Sequence, residues 1–315
     1  MLDHLGRSIT YLRLSITERC NLRCSYCRKE EGGCPKVKEL SAKEFISIAR
    51  ACAVLGISRV RVTGGEPTLR RDLIQIVQGL SAIPGIEEVS MTTNGLFLAN
   101  QAADLKKAGL SRVNISLDSL DADKFRAMTG GDLQAVLSGI DAALQAGLHP
   151  VKLNAVLIRG MNDNEVDDFI ALTRDKPLDM RLIELMPLGG NWEDDSLRVD
   201  NSELIAQRPW LIPIPPRYES QPSRDFRVEG HRGRVGFISP ISHRFCDNCN
   251  RIRIMSDGML RPCLGDNLEF SLKNALTGSD EELLQNIRDA IYAKPIGHHF
   301  EKEFKSERNM SRIGG

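Results

Sequence analysis

Cysteine is the residue type of this 315-residue chain whose spacing points most directly to chemistry. Six of the eight cysteines form two trios, each close enough in sequence for its thiolates to converge on one metal centre: Cys20, Cys24, Cys27, Cys246, Cys249 and Cys263. Three thiolates leave one iron of a four-iron cubane without a protein ligand, and an open iron can bind a reactant. The two trios therefore predict two iron–sulfur clusters.

Zinc is the alternative occupant of each trio, because structural zinc usually takes four protein ligands. Cys34 is the nearest fourth ligand for the first trio, and His243 is a candidate for the second. The C-x2-C spacing of Cys246 and Cys249 is a frequent zinc half-site. The C-x3-C-x2-C spacing of the first trio is not a usual zinc pattern, and Tyr26 before its third cysteine favours an iron–sulfur cluster.

Composition places the chain among ordinary globular proteins. Lys plus Arg and Asp plus Glu both number 42, and this balance argues against nucleic-acid or membrane-surface binding. The sequence has no apolar run near the ~20 residues that span a bilayer, and its first ten residues carry charges where a signal peptide needs apolar ones. We therefore expect a cytoplasmic protein whose thiols stay reduced and serve as ligands rather than disulfides.

Six short β-branched runs alternate with amphipathic segments before residue 187, which predicts six consecutive β–α units. The predicted strands are Thr10–Thr17, Ser58–Thr63, Glu88–Thr93, Arg112–Leu117, Val151–Ile158 and Met180–Met186. The predicted helices between them are Ser41–Leu55, Arg71–Ala82, Ala99–Ala108, Asp132–Ala146 and Asn164–Arg174. Ser41 and Glu44 fit a capping box. Such units build a parallel sheet with helices outside it.

Polar or Gly-rich residues lie on or just after every predicted strand, and this favours a barrel over an open sheet. The strands of a barrel converge on one mouth, whereas an open sheet concentrates its site at one switch point. The sequence therefore predicts an α/β fold: an incomplete (β/α)6 TIM-like barrel over residues 1–187. Residues 188–315 are predicted to form a C-terminal α+β extension that carries the second cluster.

The extension begins with a loop rich in Gly, Pro, Asp and Ser. Its predicted strands are Phe226–Val228, Val235–Ile238, Arg251–Met255 and Met259–Arg261, and its predicted helices are Asn201–Gln207, Phe270–Leu276 and Asp280–Tyr292. A turn at Ser256–Gly258 joins the last two strands as a hairpin. The hairpin would return Cys263 to Cys246 and Cys249.

Basic residues on the predicted strands indicate an anionic ligand. Arg251 and Arg253 alternate on one strand, so their guanidinium groups share a face and suit a phosphate. Arg13, Arg61 and Lys152 lie on three barrel strands, where an interior charge is costly unless it is paired. The alternative is that these side chains face solvent or pair with local carboxylates, and it is strongest for Arg13 and Arg61.

The loop Cys20-x3-Cys24-x-Tyr26-Cys27 after a first barrel strand resembles the radical S-adenosylmethionine (SAM) superfamily. The resemblance implies that the open iron binds the amino and carboxylate groups of SAM, whose cleavage releases a 5′-deoxyadenosyl radical. Thr63-Gly64-Gly65-Glu66-Pro67 resembles the GGEP motif that binds the methionyl group. Carried over by position, the SAM-binding residues are Tyr26, Gly65, Ser116 and Met186.

The chain from Leu5-Gly6-Arg7 to its last glycines resembles the GTP 3′,8-cyclase family, which performs the first step of molybdenum-cofactor biosynthesis. The second trio, the run Cys249–Arg253 and the C-terminal Met310–Gly315 carry this resemblance. It implies a second [4Fe–4S] cluster that holds the guanine base, and a C-terminal tail that reaches the active site. By position the GTP-binding residues are Arg13, Arg61, Thr92, Lys152, Arg251, Ile252 and Arg253. Catalytic roles fall to Arg251, Arg253, Gly314 and Gly315.

The family resemblance also implies partners. Besides GTP, an electron donor of unknown identity is needed, and a downstream pterin synthase takes the product. The chain would act as a monomer or homodimer. Two other readings of the residues remain: a radical SAM enzyme that modifies a peptide with an auxiliary cluster, and a zinc-stabilised binding module. The sequence assigns no role to Cys34, and Cys52 fits an apolar helix face.

Overall fold

The computed structural model describes residues 1–27, 38–188, 194–300 and 304–314, and the strands of these ranges lie in a single sheet. The strands are β1 Tyr11–Ser15, β2 Arg59–Thr63, β3 Glu88–Thr93, β4 Arg112–Ser116, β5 Val151–Leu157, β6 Leu178–Glu184, β7 Ile212–Ile214, β8 Arg224–Arg227, β9 Arg234–Ile238, β10 Arg251–Ile254, β11 Met259–Arg261 and β12 Phe270–Ser271. The helices are α1 Ala42–Val54, α2 Leu73–Ser81, α3 Ala102–Lys107, α4 Ala122–Thr129, α5 Leu133–Gln145, α6 Val166–Ala171, α7 Asn201–Ala206, α8 Asp280–Tyr292 and α9 Met310–Ile313. The six predicted barrel strands are thus confirmed.

The sheet has a parallel centre with antiparallel edges. Strands β1 to β6 are parallel and neighbours in chain order, as the β–α pattern predicts. Strand β10 adds in parallel to the free edge of β1, and β9 adds in parallel to β6. Antiparallel strands then extend the edges through β11 and β12 on one side and β8 and β7 on the other. The result is an incomplete TIM-like barrel whose sheet runs through the predicted boundary at residue 187.

Helices cover the outside of the sheet, and their ends follow the predicted signals. The Ser41 hydroxyl accepts a hydrogen bond from the Glu44 amide, and the Glu44 carboxylate accepts one from the Ser41 amide. These two bonds confirm the capping box of α1. Helix α1 buries Phe45 and Ile48 in the apolar layer between helices and sheet. Among the described residues, no helix is long and apolar enough to cross a membrane.

The predicted and observed helices differ at Phe270–Leu276, at α4 and at α9. The predicted helix Phe270–Leu276 is wrong: Phe270 and Ser271 pair with the edge of β11, and turns follow them. Edge pairing overrides the local pattern because it satisfies the backbone of Met259–Arg261 on its open side. Helix α4 was not predicted, because Phe125 and Met128 are the only large apolar side chains that mark its buried face. The four-residue α9 was not predicted either.

Candidate active site

Both cysteine trios face one cavity of about 340 Å³. It lies where the carboxyl ends of the parallel strands meet, which is the usual position of a site in this architecture. Fifteen of the predicted site residues line it: Cys20, Cys24, Cys27, Cys246, Cys249, Cys263, Arg13, Tyr26, Arg61, Gly65, Thr92, Ser116, Met186, Arg251 and Arg253. The barrel therefore gathers residues that are more than 200 positions apart in the sequence.

The first trio sits in the loop between β1 and α1. Arg23 and Ser25 donate backbone hydrogen bonds to the last turn of α4, and Cys27 donates to the Cys24 carbonyl, so the loop wraps back on itself. Burial raises the pKa of the Cys24 thiol well above its usual value, and Asp118, Cys27 and Cys20 add to the rise. A thiol buried in this way ionises readily only beside a positive centre.

Each cysteine trio lies on the wall of the cavity. Within the described ranges, no three His, Cys, Asp or Glu side chains are grouped tightly enough to hold a single metal ion. An iron–sulfur cluster is larger than one ion and is held by thiolates around its outside. The chemistry of the donor set and its placement on the cavity wall therefore fit such a cluster.

The Gly-Gly turn after β2 packs directly against the first cysteine loop. A Cβ on Gly65 would lie 2.3 Å from the Arg19 carbonyl oxygen, so only glycine fits. The Gly65 amide donates to the Thr17 carbonyl and the Glu66 amide donates to the Arg19 carbonyl, both at 2.7 Å. The position of this turn is thereby tied to the position of the cysteine loop, as a shared binding site requires.

The Glu66 carboxylate anchors the same Gly-Gly turn through hydrogen bonds. Its side chain is buried and accepts hydrogen bonds from Thr68, from the Thr93 hydroxyl at 2.7 Å and from the Asn94 amide at 2.7 Å. Burial raises the pKa of Glu66 even though these donors lower it. Glu66 therefore links the ends of β2 and β3, a role that the sequence did not reveal.

A second buried carboxylate, Asp118, fixes Tyr26. The Tyr26 hydroxyl donates to Asp118 Oδ2 at 2.7 Å, and the Val156 amide donates to Oδ1 at 3.0 Å. Burial raises the pKa of Asp118 to about 6. This contact was not predicted, although Asp118 belongs to the Ser116-Leu117-Asp118 run at the end of β4.

The second trio is assembled by the hairpin of β10 and β11, which confirms the predicted return of Cys263. The Cys249 amide donates to the Cys246 carbonyl at 3.1 Å. Burial raises the pKa of Cys249, but the nearby cations Lys294 and Arg251 outweigh it and lower the pKa to about 7. His243, the candidate zinc ligand, is exposed and is not part of the cavity lining. The described surroundings of this trio are basic and favour bound thiolates.

Arginines form one wall of the cavity. The register places Arg13 beside Arg61 of β2 on one side and Arg253 of β10 on the other. Residues paired across a sheet lie on the same face about 5 Å apart, so three guanidinium groups share one level. Burial lowers the pKa of Arg13 well below its usual value, and Arg253 and Arg61 lower it further. Such mutual repulsion is relieved by an anionic ligand.

Arg181 is a further arginine of this cavity, and the sequence analysis did not identify it. It lies on β6, is 6% exposed, and lines the cavity. Burial, Arg61 and Arg112 lower its pKa to about 10. The Nε atoms of Arg61 and Arg181 are buried without a hydrogen-bond partner. Its position was a usable signal, because Arg61 had been selected as a basic residue on a predicted barrel strand and Arg181 is another.

Two predicted GTP-binding residues lie outside the lining. Lys152 is buried against Asp179, with 3.5 Å between Nζ and Oδ2. Burial and Arg181 lower the pKa of Lys152 to about 7, although Asp179 opposes them. Ile252 is fully buried in the apolar core, because it alternates with Arg251 and Arg253. The side chain of Ile252 therefore points away from the face of β10 that carries Arg251 and Arg253.

The C-terminal tail reaches the arginine wall. The Gly314 carbonyl accepts a 2.7 Å hydrogen bond from Arg253 Nη1, and a Cβ on Gly314 would lie 2.4 Å from the Thr63 hydroxyl. Arg312 forms an ion pair with Glu18 of the first cysteine loop at 3.0 Å. Gly315 and Cys34 lie outside the described residues.

Family models match the chain in two consecutive segments. Residues 14–173 match the radical SAM superfamily, and residues 178–300 match the family described as Molybdenum Cofactor Synthesis C. With its partial barrel and its cysteine loop after β1, the chain is a radical SAM protein, a class that binds a [4Fe–4S] cluster and SAM.

Curated relatives show which family of radical SAM proteins the chain belongs to. GTP 3′,8-cyclase from Moorella thermoacetica is 47% identical over all of both chains, and the one from Alkaliphilus oremlandii is 45% identical, again over all of both. GTP 3′,8-cyclase from Listeria monocytogenes is 44% identical over 99% of this chain and 98% of its own. The chain belongs to the GTP 3′,8-cyclase family.

Solved structures agree on the fold. Streptococcus suis SuiB bound to precursor peptide SuiA superposes with a TM-score of 0.61, covering 96% of this chain and 69% of SuiB at 15% identity. Native anSMEcpe with bound AdoMet gives a TM-score of 0.60, covering 96% of this chain and 87% of that chain at 15% identity. At such low identity the likeness concerns architecture alone.

Proposed function

We propose that this chain converts GTP into (8S)-3′,8-cyclo-7,8-dihydroguanosine 5′-triphosphate, the first step of molybdenum-cofactor biosynthesis. The observation that carries the proposal is the shared cavity: two cysteine trios and a wall of arginines line it together. The first trio is proposed to make the radical, and the arginines and the second trio are proposed to hold an anionic substrate beside it. The full-length relatives named GTP 3′,8-cyclase support the same substrate.

The first trio is proposed to ligate a [4Fe–4S] cluster through Cys20, Cys24 and Cys27. When bound, this cluster and SAM supply a 5′-deoxyadenosyl radical. The Gly65 amide is already bonded to Thr17, so its carbonyl oxygen is the group proposed to accept the methionyl ammonium. Ser116, Met186 and the Tyr26 backbone complete the SAM-binding residues, with Tyr26 held by Asp118.

The substrate is proposed to lie between the two trios, with its triphosphate on the arginine wall. Arg13, Arg61 and Arg253 share one level of the sheet, and Arg181 adds a further guanidinium from β6. Guanidinium forks match phosphate oxygens and donate charge-assisted hydrogen bonds. Thr92 and Lys152 are proposed to add contacts from β3 and β5. The second trio is proposed to hold a second [4Fe–4S] cluster, at which the guanine base binds.

The polar groups proposed to surround the ribose of GTP are also proposed to position it for reaction. Arg253 bonds the Gly314 carbonyl, so this guanidinium and the tail form one unit beside the reacting sugar. Arg251 is stacked on Phe245, 5.2 Å from the ring centre, which limits the directions in which it can donate. Holding the reactants in one geometry and excluding water is the main contribution of the chain, because the cofactors carry the difficult chemistry. Catalytic roles are proposed for Arg251, Arg253, Gly314 and Gly315.

The cellular setting is also a proposal. The reaction needs an external electron donor, and a downstream pterin synthase is expected to use the product. The even balance of 42 basic and 42 acidic residues fits a cytoplasmic enzyme that acts as a monomer or homodimer without nucleic acid or membrane.

The decisive experiment is an anaerobic incubation of the iron-loaded protein with SAM, a reductant and GTP. We expect 5′-deoxyadenosine and a cyclised guanine nucleotide, both absent when ATP replaces GTP. The matched control is Cys24→Ala, which should form neither. Equal 5′-deoxyadenosine yields with GTP and with ATP would contradict the proposed substrate, and a colourless protein that contains zinc without sulfide would contradict the radical mechanism.

A further inference from the structure

Lys294 is a buried cation beside the second cysteine trio. Its side chain is 2% exposed, and it lines the cavity together with Cys246, Cys249 and Cys263. Its ammonium donates hydrogen bonds to the carbonyl oxygens of Arg251 at 2.8 Å and Pro262 at 2.6 Å. Among the described residues, no carboxylate lies within ion-pair distance of Lys294 Nζ. A buried ammonium is costly unless a negative group compensates it.

The two carbonyls flank the cysteine ligands. Arg251 begins β10 two residues after Cys249, and Pro262 directly precedes Cys263 at the end of β11. A single ammonium therefore ties together the two ends of the hairpin that present these thiols. Moving either end would cost Lys294 a hydrogen bond.

Arg7 offers an internal comparison. It also touches the second trio, since it donates to the Cys246 carbonyl at 3.1 Å. Its guanidinium is, however, paired with Asp3 at 2.7 Å, so its charge is already compensated. Among the described residues, Lys294 has carbonyl dipoles but no such carboxylate, and the three thiols of the trio line the same cavity as its side chain.

We propose that Lys294 is a positioning residue of the second iron–sulfur cluster, acting as the counter-ion of its three thiolates while it holds the two ends of the hairpin. The inference rests on the proposed second cluster. Reduction adds a negative charge to a cluster, so a neighbouring ammonium stabilises the reduced form and raises the reduction potential.

The test isolates the second cluster by replacing Cys20, Cys24 and Cys27 with alanine. In this background, Lys294→Met removes the charge and Lys294→Arg retains it. Lys106→Met is the matched control, since Lys106 also donates to a backbone carbonyl, that of Gly147, but is exposed and remote. The readouts are iron and sulfide content and the midpoint potential from an electron-paramagnetic-resonance titration. We expect Lys294→Met to shift the potential to more negative values, and the other two variants to stay near the parent.

An unchanged potential in Lys294→Met would overturn the inference. If that variant loses iron, the protein with all its cysteines decides: selective loss of the second cluster supports the role of Lys294, and equal loss of both clusters refutes it, because Lys294 would then act through the fold. A parent protein without iron and sulfide at the second trio would overturn the second cluster itself, a different result from any effect of Lys294.

Discussion

Arginine side chains on buried strands make the cavity wall basic. Arg13 and Arg61 lie side by side on β1 and β2, and the repulsion between their like charges favours binding of an anion. These residues could be identified from the sequence because a charge inside a barrel is costly unless a ligand or a counter-ion compensates it. Arg181, in Leu178–Glu184, is a buried charge of the same kind. Only the tertiary structure identifies it as a residue of the site.

Replacing Arg181 should weaken substrate binding. A charge-assisted hydrogen bond contributes roughly 1.5–3 kcal/mol, so we expect Arg181→Met to raise the dissociation constant of GTP about 10- to 100-fold. The exposed Arg174→Met should leave it unchanged. Calorimetric titration of the iron-loaded protein measures both, and an unaltered affinity in Arg181→Met would remove Arg181 from the binding wall.

Lys152 should make GTP binding depend on pH. Its pKa is about 7 in the free protein, because burial and Arg181 disfavour its charge. A bound triphosphate favours the ammonium and raises that pKa, so binding takes up a proton above pH 7. We expect affinity to fall as pH rises from 7 to 8.5. Calorimetric titrations across this range should show a shallower slope for Lys152→Met, which keeps only the titration of the nucleotide, and parallel slopes would contradict the assignment.

Two connecting elements, the Gly-Gly turn after β2 and the C-terminal tail, determine how the cavity is closed. The turn packs on the first cysteine loop through Gly65, and the tail is pinned to that loop by Arg312. Arg308 fixes the tail at its other end through ion pairs of 2.8 Å with Asp257 and Glu269. Loop and tail are therefore coupled although they lie at opposite ends of the chain.

Loosening the tail should slow the reaction without removing the clusters. In Arg312→Met the ion pair with Glu18 is lost, so Gly314 is less firmly seated against Arg253. We expect at least a tenfold drop in GTP-dependent 5′-deoxyadenosine formation with unchanged iron content, partly restored in Arg312→Lys. Lys305→Met, in the exposed part of the tail, is the control. Full activity in Arg312→Met would show that the ion pair does not position the tail.

Enlarging the Gly-Gly turn should act on the first cluster selectively. The Cβ of Gly65→Ala would overlap the Arg19 carbonyl, a backbone group that moves only with the cysteine loop. We expect weaker SAM binding and loss of iron from the first trio, with the second trio retained. Gly278→Ala meets only the flexible end of Glu282 and serves as control. Spectroscopic quantification of each cluster checks this, and equal occupancy in both variants would contradict it.

At the scale of the whole molecule, residues 188–315 complete the sheet of residues 1–187. They cover the edge of β1 with β10 and the edge of β6 with β9. A barrel fragment without them would expose two parallel edges that can pair with other chains. The predicted boundary therefore separates two stretches of sequence that share one sheet.

This continuity predicts that the two segments do not fold separately. We expect residues 1–187 expressed alone to aggregate, and coexpression with residues 188–315 to recover soluble protein. Sedimentation and circular dichroism of the two preparations provide the measurement. A monomeric, cooperatively folding 1–187 fragment would show instead that the edge strands of the extension are dispensable.

Much of the architecture was readable from the sequence, because its determinants are local. The six β–α units follow from periodicity, the cap of α1 from Ser41 and Glu44, and the cysteine loop from ligand spacing within eight residues. Local cues failed where partners were distant. Phe270 lies in a strand because β11 offered an edge, and α4 was missed because only Phe125 and Met128 mark its apolar face.

The sequence by itself determined the kinds of group at the site: two sets of three thiolates, a Gly-Gly turn and a supply of arginines. The tertiary structure decided which of them meet. The level shared by Arg253, Arg13 and Arg61 depends on hydrogen-bond register between strands that are up to 240 residues apart, and no local pattern encodes such a register. Lys294 and Arg312 gained their partners in the same way, since a buried charge can be matched to its counter-group only after the chain has folded.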